Sequence, residues 1–166
     1  MKSVSTLLAF ILLIIAINSN ANDTLIKFGK NLGAAPVWSY KGGGTNLDLV
    51  SWKGASYIET NWIVGAPAAL GFGASAPVRN TAIPENTTTG GGGAVGARYP
   101  TMYFRKSINI ANPNAFTSFK ISAQFDDAIV VWVNGQEAFR NNIGSNPAYA
   151  TLATASIGGN GATVFS

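Results

Sequence analysis

The sequence lacks both cysteine and histidine. Without cysteine the protein carries no disulfides and no thiol chemistry, and without histidine it lacks the commonest general base and the commonest ligand for transition metals. No histidine can therefore activate a serine, and the sequence contains no nucleophile elbow. Hydrolysis by paired carboxylates would need two acids at a defined separation, but the spacing of the seven acidic residues singles out no pair. We predict that this chain is not an enzyme.

Charge is also scarce, because charged residues make up only 11% of the sequence and the formal net charge is +4. The eleven basic residues are scattered, and their longest run is the pair Arg105-Lys106. Nucleic-acid-binding proteins normally cluster their basic residues on one face or one element. The charge pattern therefore argues against a nucleic-acid partner.

The N-terminus has the pattern of a secretory signal peptide. Lys2 precedes an apolar run at residues 7–17, and the small residues Ser19 and Ala21 stand at the −3 and −1 positions of a cleavage site. A membrane anchor is the alternative, but the run is shorter than the ~20 residues that span a bilayer. We predict a signal peptide at residues 1–21 and a single domain at 22–166, with no membrane span in that domain. The predicted location is extracellular or at the cell surface, with the periplasm as the alternative.

Helical periodicity is absent after this leader, and the sequence with its nineteen glycines is a poor helix former. Period-two alternation is instead frequent. Residues 102–110 place Met102 and Phe104 on one face, and residues 119–125 alternate more cleanly. The Asn and Pro residues at 111–114 suit a turn between these two predicted strands. The pattern predicts an antiparallel β-sandwich or barrel.

Residues 74–97 form a predicted loop rich in glycine and threonine. The segment contains a threonine run at 87–89 and four consecutive glycines at 90–93, a composition that buries little apolar surface. Residues 91–96 fit the GxGxxG pattern, but dinucleotide binding needs a strand before the glycines and a helix after them. Here residues 97–100 lead into a predicted strand, so we interpret the segment as a loop.

The dipeptide Asn134-Gly135 lies between two partly apolar segments and predicts a β-hairpin. A two-residue turn of type I′ needs positive φ at both positions, which Asn and Gly tolerate best. This turn places Trp132 opposite Glu137. The further pairs that it predicts are Val133 with Gln136, Val131 with Ala138, and Val130 with Phe139. The face predicted for the core holds Ile129, Val131, Val133 and Ala138. The opposite face holds Val130, Trp132 and Phe139.

The four tryptophans admit two interpretations. An indole ring is flat and apolar with one polar edge, so it can stack on the face of a sugar. It can equally fill the core of a β-sandwich. We assign Trp38, Trp52 and Trp62 to the core, and we leave open whether Trp132 is covered by loops or offered to a ligand.

The adjacent acids Asp126 and Asp127 precede the hairpin directly. They could serve as carboxylate ligands of Ca²⁺, which prefers six to eight oxygens. Alternatively they form a polar bend between two strands, with the carboxylates accepting hydrogen bonds from nearby backbone. Because no further acids lie nearby in the sequence, we favour the bend and predict no cofactor, with Ca²⁺ as the alternative.

The order of these features resembles a galactose-binding-like β-sandwich module of secreted bacterial multidomain proteins. The resemblance covers residues 36–160. Its motifs are, in order, Trp38-Ser39-Tyr40, Trp52, Trp62, Gly65-Ala66-Pro67, Leu70-Gly71-Phe72-Gly73, Tyr103-Phe104-Arg105-Lys106, Phe125-Asp126-Asp127-Ala128, Val130-Val131-Trp132-Val133-Asn134-Gly135-Gln136-Glu137, Arg140-Asn141-Asn142 and Thr151-Leu152-Ala153.

The resemblance implies a jelly-roll fold and a module that binds or positions while a neighbouring domain carries out any chemistry. We therefore expect a secreted, non-catalytic binding module for carbohydrate or another surface ligand. The candidate ligand-binding residues are Trp132, Asp126, Asp127, Arg140 and Asn141. One alternative is a structural or adhesive module without a small-molecule site. Another is an N-terminal accessory domain of a secreted phosphoesterase or glycosidase.

The sequence departs from the family pattern at three places. Ala128 stands where the family usually has glycine. Residues 57–60 replace an acidic segment of the family, which weakens any ligand role there. The chain stops at Ser166, where the family continues with a turn and a final apolar strand. We therefore expect a domain that lacks its last one or two strands, and further domains, including any catalytic one, beyond residue 166.

Overall fold

The computed structural model describes residues 12–18, 21–24, 36–68, 70–71, 81–83, 99–157 and 162–165. In these ranges the regular elements are β-strands and one single-turn 3₁₀ helix, Pro113–Ala115. The protein is therefore all-β, as predicted, and its sheets are consistent with a β-sandwich. Within the same ranges, no helix is long and apolar enough to cross a membrane.

The strands are, in chain order, β1 Leu12–Asn18, β2 Ala21–Thr24, β3 Val37–Lys41, β4 Ile63–Pro67, β5 Leu70–Gly71, β6 Thr81–Ala82, β7 Tyr103–Arg105, β8 Ser118–Gln124, β9 Ile129–Val133, β10 Gln136–Asn141 and β11 Ala162–Phe165. They form four sheets with the orders β11-β8-β1-β2, β4-β3-β7, β10-β9 and β5-β6. All pairs are antiparallel except β5 with β6.

Strand β8 confirms the predicted alternation. Ile121, Ala123 and, just after the strand, Phe125 are buried, whereas the residues between them are half-buried. Neighbouring residues of a strand point to opposite faces, so one face of β8 supplies three consecutive core side chains. Phe119 lies nearer the start of the strand and is exposed.

The strand predicted over residues 102–110 is much shorter than expected. Only Tyr103–Arg105 forms β7, and residues 107–109 are exposed and irregular. The predicted faces are also wrong in one respect, because Met102 and Tyr103 are both buried although they point to opposite sides. Met102 joins the main core. Tyr103 joins a separate aromatic cluster with Leu47 and Trp62, against which Trp52, Tyr57 and Tyr149 pack. Strand β7 is therefore covered on both faces.

The main core uses aromatic and small side chains rather than many leucines. Its buried members are Trp38, Tyr40, Ala66, Ala68, Leu70, Ile83, Met102, Ala123, Phe125 and Ile129. On β3 the alternation buries Trp38 and Tyr40, and Phe125 enters from the end of β8. Full burial of a large apolar side chain stabilises the fold by about 1.5–3 kcal/mol. These few aromatic residues therefore account for much of the apolar stabilisation.

The hairpin of β9 and β10 has the predicted turn but not the predicted register. Asn134 and Gly135 have φ of 49° and 86°, as a type I′ turn requires, and Trp132 pairs with Glu137. A bulge at Ala138 then shifts the pairing, so that Phe139 lies opposite Val131. Because one extra residue reverses which face the following side chains point to, Phe139 packs against the main core.

The core face of this hairpin is correspondingly different from the prediction. Ile129 is buried and Val131 packs against the main core, as predicted. Val133, also predicted to be in the core, is 42% exposed and lies beside the turn, beyond the core. Ala138, likewise predicted to be in the core, is exposed at the bulge. Phe139 occupies the core position opposite Val131 that was predicted for Ala138.

The predicted signal peptide overlaps two strands of the full chain. Strand β1 pairs with β8 from Leu12 opposite Ala123 to Ile17 opposite Ser118, and β2 begins at Ala21. A short apolar run is compatible with a buried strand as well as with a leader, and periodicity does not separate the two. Removal of residues 1–21 stays a prediction, as does the absence of one or two final strands.

Part of the predicted loop at residues 74–97 is a strand. Thr81–Ala82 forms β6 and pairs with Leu70–Gly71, and Ile83 beside it is buried in the main core. The threonine run and the four glycines lie outside the described residues.

Candidate functional site

A cleft of about 850 Å³ opens beside the hairpin and the aromatic cluster around Tyr103. We call it the aromatic cleft. Its lining includes the side chains of Asp48, Trp52, Lys53, Tyr103, Arg105 and Trp132. Small-molecule sites normally enclose about 300–1,000 Å³, with a mainly apolar lining and a few polar groups. The aromatic cleft has the size and the composition of such a site.

The loop that supplies Trp52 and Lys53 is a succession of tight turns. The N–H of Val50 donates to the carbonyl of Leu47 at 3.0 Å, and the N–H of Gly54 donates to the carbonyl of Ser51 at 3.1 Å. Before them, the Asn46 side-chain oxygen accepts a hydrogen bond from the N–H of Asp48 at 2.8 Å. An Asn side chain that bonds the backbone two residues on favours such a turn, and Gly suits the end of one. The loop therefore has a defined path although it contains no strand.

Arg105 on β7 holds this loop against the sheet. Its Nε donates to Glu59 Oε1 at 3.0 Å, its Nη2 donates to the carbonyl of Gly54 at 3.1 Å, and its Nη1 donates to the carbonyl of Trp52. The guanidinium also lies over the ring of Tyr57, with Cζ 5.2 Å from the ring centroid. Donors held in a rigid planar fork and a planar stacking face are properties of arginine that lysine lacks. Arg105 thus fixes the position from which Trp52 points into the aromatic cleft.

Trp52 and Trp132 meet edge to face on the wall of the aromatic cleft. Their ring centroids are 5.4 Å apart and the rings are inclined by 76°. Trp52 also contacts Tyr103 edge to face at 4.9 Å, and it lies 6.4 Å from Trp62 in a tilted arrangement. Aromatic pairs prefer this geometry, which contributes about 0.5–1.5 kcal/mol beyond area burial. Both indoles at the cleft are half-buried and are held at a fixed angle.

The ammonium of Lys53 lies over the ring of Trp132. Lys53 Nζ is 4.3 Å from the centroid of Trp132 and 5.9 Å from that of Trp52. The hairpin turn lies against the same loop, since a Cβ at Gly135 would be 3.9 Å from the carbonyl oxygen of Lys53. An exposed cation–π contact contributes about 0.5–1 kcal/mol. This contact places a positive charge beside the indole pair.

Tyr103 connects the aromatic cleft to the buried aromatic cluster. Its hydroxyl accepts a hydrogen bond from the N–H of Leu47 at 3.2 Å. Burial raises the pKa of Tyr103 above its ordinary value, the hydrogen bond from Leu47 lowers it, and the charge of Asp48 raises it further. The pKa of Tyr103 is raised overall, so the hydroxyl is neutral at physiological pH.

Asp127 serves the bend that precedes the hairpin. Its side chain is 1% exposed, and Oδ1 accepts hydrogen bonds from the N–H of Ile157 at 2.7 Å and from Ser156 Oγ at 3.5 Å. Its backbone carbonyl accepts a bond from Asn142 Nδ2 at 2.9 Å. Among the residues that the structure describes, no three acidic side chains converge as metal ligands would. The carboxylate therefore ties residues 156–157 to the sheet.

Arg140 and Asn141 lie on β10, away from the aromatic cleft. Arg140 Nε donates to Glu137 Oε1 at 2.6 Å in a partly exposed ion pair. Arg140 pairs with Val130 across the hairpin and Asn141 pairs with Ile129. Neither side chain lines the aromatic cleft, and neither do Asp126 and Asp127. Of the five predicted ligand-binding residues, Trp132 alone lies at this site.

Two of the three tryptophans assigned to the core are buried there. Trp38 and Trp62 are each 7% exposed, whereas Trp52 is half-buried and shared between the aromatic cluster and the cleft. Sequence reasoning missed Trp52, Lys53 and Arg105 as site residues. The adjacency of an indole and a cation in Trp52-Lys53 was a local signal for these two residues, and no local signal marked Arg105.

No protein-family model, curated protein or solved structure matches this sequence. The resemblance to galactose-binding-like modules and the roles that it implies therefore stay predictions.

Proposed function

We propose that the protein is a secreted, non-catalytic module that binds carbohydrate in the aromatic cleft. We further propose that its sheets belong to a galactose-binding-like jelly roll, and that other domains of the same polypeptide supply any chemistry. The observation that carries the proposal is the pair of half-buried indoles, Trp52 and Trp132, held edge to face at 5.4 Å on the wall of the cleft.

This arrangement suits a sugar for two physical reasons. An indole presents an apolar face that can stack against the C–H groups of a pyranose ring. The flanking polar groups can bond to the hydroxyls at the ring's rim, and here Lys53 and Asp48 line the same cleft. Because Arg105 fixes the loop of Trp52, little conformational freedom is lost on binding.

A structural or adhesive module is the second candidate, and an exposed apolar surface on β4 favours it. Strand β4 lies at one end of the order β4-β3-β7, and its residues Ile63 and Val64 are 52% and 67% exposed. Apolar side chains on an end strand are typical of surfaces that pair with another chain. This candidate needs no ligand in the aromatic cleft.

The two candidates are separated by binding assays on matched variants. The full chain is tested against a panel of immobilised polysaccharides, together with Trp132→Ala, and with Glu137→Ala as the control from the opposite strand of the hairpin. We expect Trp132→Ala to weaken retention at least about tenfold, which corresponds to ~1.4 kcal/mol. Glu137→Ala should bind as the parent does. Failure of the parent to bind any polysaccharide, or full binding by folded Trp132→Ala, would exclude the carbohydrate function.

A further inference from the structure

Among the described residues, three basic side chains line the aromatic cleft, and they differ in their bonding partners. Arg105 is bonded to Glu59 and to backbone carbonyls of the loop. Lys106 Nζ donates to the carbonyl of Val37 at 2.9 Å. Lys53 contacts the rings of Trp52 and Trp132, but no described carbonyl or carboxylate accepts a hydrogen bond from its ammonium. Lys53 therefore brings an uncompensated positive charge with three donors to the indole pair.

The acidic side of the cleft does not balance this charge. Among the described lining side chains, one acid, Asp48, stands against three bases, and no ion pair joins it to Lys53. Asp48 Oδ1 accepts a hydrogen bond from the N–H of Tyr149 at 2.7 Å. Glu59 is bonded to Arg105, and Glu137 is bonded to Arg140 on the far strand of the hairpin. Within the described residues, the cleft is thus cationic next to its stacking surface. An anionic group on the ligand would complement it.

We propose that the ligand is an acidic polysaccharide, whose carboxylate or sulfate group pairs with Lys53 while the sugar ring packs against the indoles of Trp132 and Trp52. This inference rests on the proposed carbohydrate-binding function and specifies its ligand class. A uronic acid or a sulfated hexose carries both required features, an apolar ring face and an anionic group at the rim. Charge-assisted hydrogen bonds are roughly twice as strong as neutral ones, so the ammonium selects acidic over neutral sugars.

The position of Lys53 favours a role in selectivity. The cation–π contact keeps the ammonium 4.3 Å from the ring centroid of Trp132, although the side chain is exposed and has free rotamers. An anion that pairs with it is therefore placed next to the indole rather than out in solvent. Because the site is exposed to water, added salt should screen the interaction.

The test compares polysaccharides that share a backbone and differ in whether they carry an anionic group. Affinity of the full chain is measured for polygalacturonate and its methyl ester, and for dextran sulfate and dextran, by isothermal titration at low ionic strength. We expect at least one acidic polymer to bind about tenfold more tightly than its neutral counterpart, as a single charge-assisted bond allows. Preference within the first pair identifies a carboxylate ligand, and preference within the second pair identifies a sulfate ligand.

Three variants then assign the preference to Lys53. Lys53→Met keeps an apolar chain of similar length and should abolish the preference, whereas Lys53→Arg should retain it. Lys41→Met is the control, since Lys41 lies outside the cleft lining and donates to the carbonyl of Asn61. It should behave as the parent.

The outcomes separate this inference from the function on which it rests. Equal binding of acidic and neutral polymers, or an undiminished preference in Lys53→Met, overturns the acidic ligand. If acidic and neutral polymers bind equally and Trp132→Ala loses this binding, the protein binds carbohydrate without a preference for acidic ligands. If no polymer binds at all, both proposals fail.

Discussion

Arg105 Nε donates to Glu59 Oε1 at 3.0 Å and so joins β7 to the loop that carries Trp52. The two residues are separated by 46 positions in the chain. The Arg105 side chain is 12% exposed, so its bonds are largely shielded from water. The geometry of the aromatic cleft therefore depends on a residue that need not touch the ligand.

Replacement of Arg105 by lysine should destabilise the protein and loosen the cleft. Lysine cannot keep three directed bonds to Glu59 and the loop carbonyls, and loss of hydrogen bonds to a charged group costs about 1.5–3 kcal/mol. We expect this decrease in the free energy of unfolding by urea. Arg140→Lys at the partly exposed pair with Glu137 is the control and should change it by less than about 1 kcal/mol. Equal effects of the two substitutions would contradict the proposed role of Arg105.

The bulge in β10 predicts unequal effects for two apolar residues of the hairpin. Phe139 packs against the main core, whereas Val133 is exposed. Truncation of a fully buried Phe costs about 3–5 kcal/mol, so we expect about half of that for the half-buried Phe139→Ala. Val133→Ala should lie within about 0.5 kcal/mol of the parent. Urea unfolding of both variants measures the difference. A larger loss of stability in Val133→Ala than in Phe139→Ala would indicate the regular register without a bulge.

Substitution of Asp127 should release residues 156–157 from the sheet. The buried carboxylate accepts the N–H of Ile157 at 2.7 Å, and an unsatisfied buried donor costs about 1–3 kcal/mol. We expect Asp127→Ala to lose stability in this range and to increase hydrogen exchange at the Ile157 amide. Asp127→Asn keeps an acceptor oxygen and should lose less. Unchanged exchange at Ile157 in Asp127→Ala would show that this bond does not hold the segment.

Buried tyrosines predict a loss of stability at alkaline pH. Burial is the largest cause that raises the pKa of Tyr40, Tyr103 and Tyr149 above the ordinary value of 10.0. The folded state therefore retains these protons when the unfolded state loses them. Their contribution is complete below pH ~10 and is lost as the pH rises through the folded pKa values. Urea unfolding at pH 8 to 11 should show this decline, and Tyr103→Phe should make it shallower. An identical slope in Tyr103→Phe would remove Tyr103 from the explanation.

Local patterns predicted the parts of the fold that local physics determines. The alternation of Ile121, Ala123 and Phe125 follows from the period of a strand, and the hairpin turn follows from the positive φ of Asn134 and Gly135. The bulge at Ala138 was not predictable in this way. The bulge forms only if burial of Phe139 in the core contributes more free energy than the hairpin loses in regular pairing. That balance involves residues far away in the chain.

The candidate site was predicted only in part, because part of it also depends on residues that are far apart in the chain. Trp132 could be placed because the turn defines the alternation of β9. The loop of Trp52 and Lys53 has no periodic sequence pattern. Its position depends on hydrogen bonds from Arg105, which lies in another part of the chain. The acids before the hairpin drew attention by adjacency alone, yet Asp127 turns inward to bond residues 156–157.

The most direct test of the carbohydrate function follows the indole N–H resonances of the four tryptophans by nuclear magnetic resonance during titration with an acidic oligosaccharide. Single Trp→Phe variants assign the signals. Trp52 and Trp132 line the aromatic cleft as the half-buried edge-to-face pair. The largely buried Trp38 of the main core also borders it, whereas Trp62 lies in the aromatic cluster outside the lining. We predict saturable shifts for Trp52 and Trp132 and little change for Trp62. Shifts confined to Trp62, or no shift at any indole up to saturating concentration, would contradict binding at the aromatic cleft.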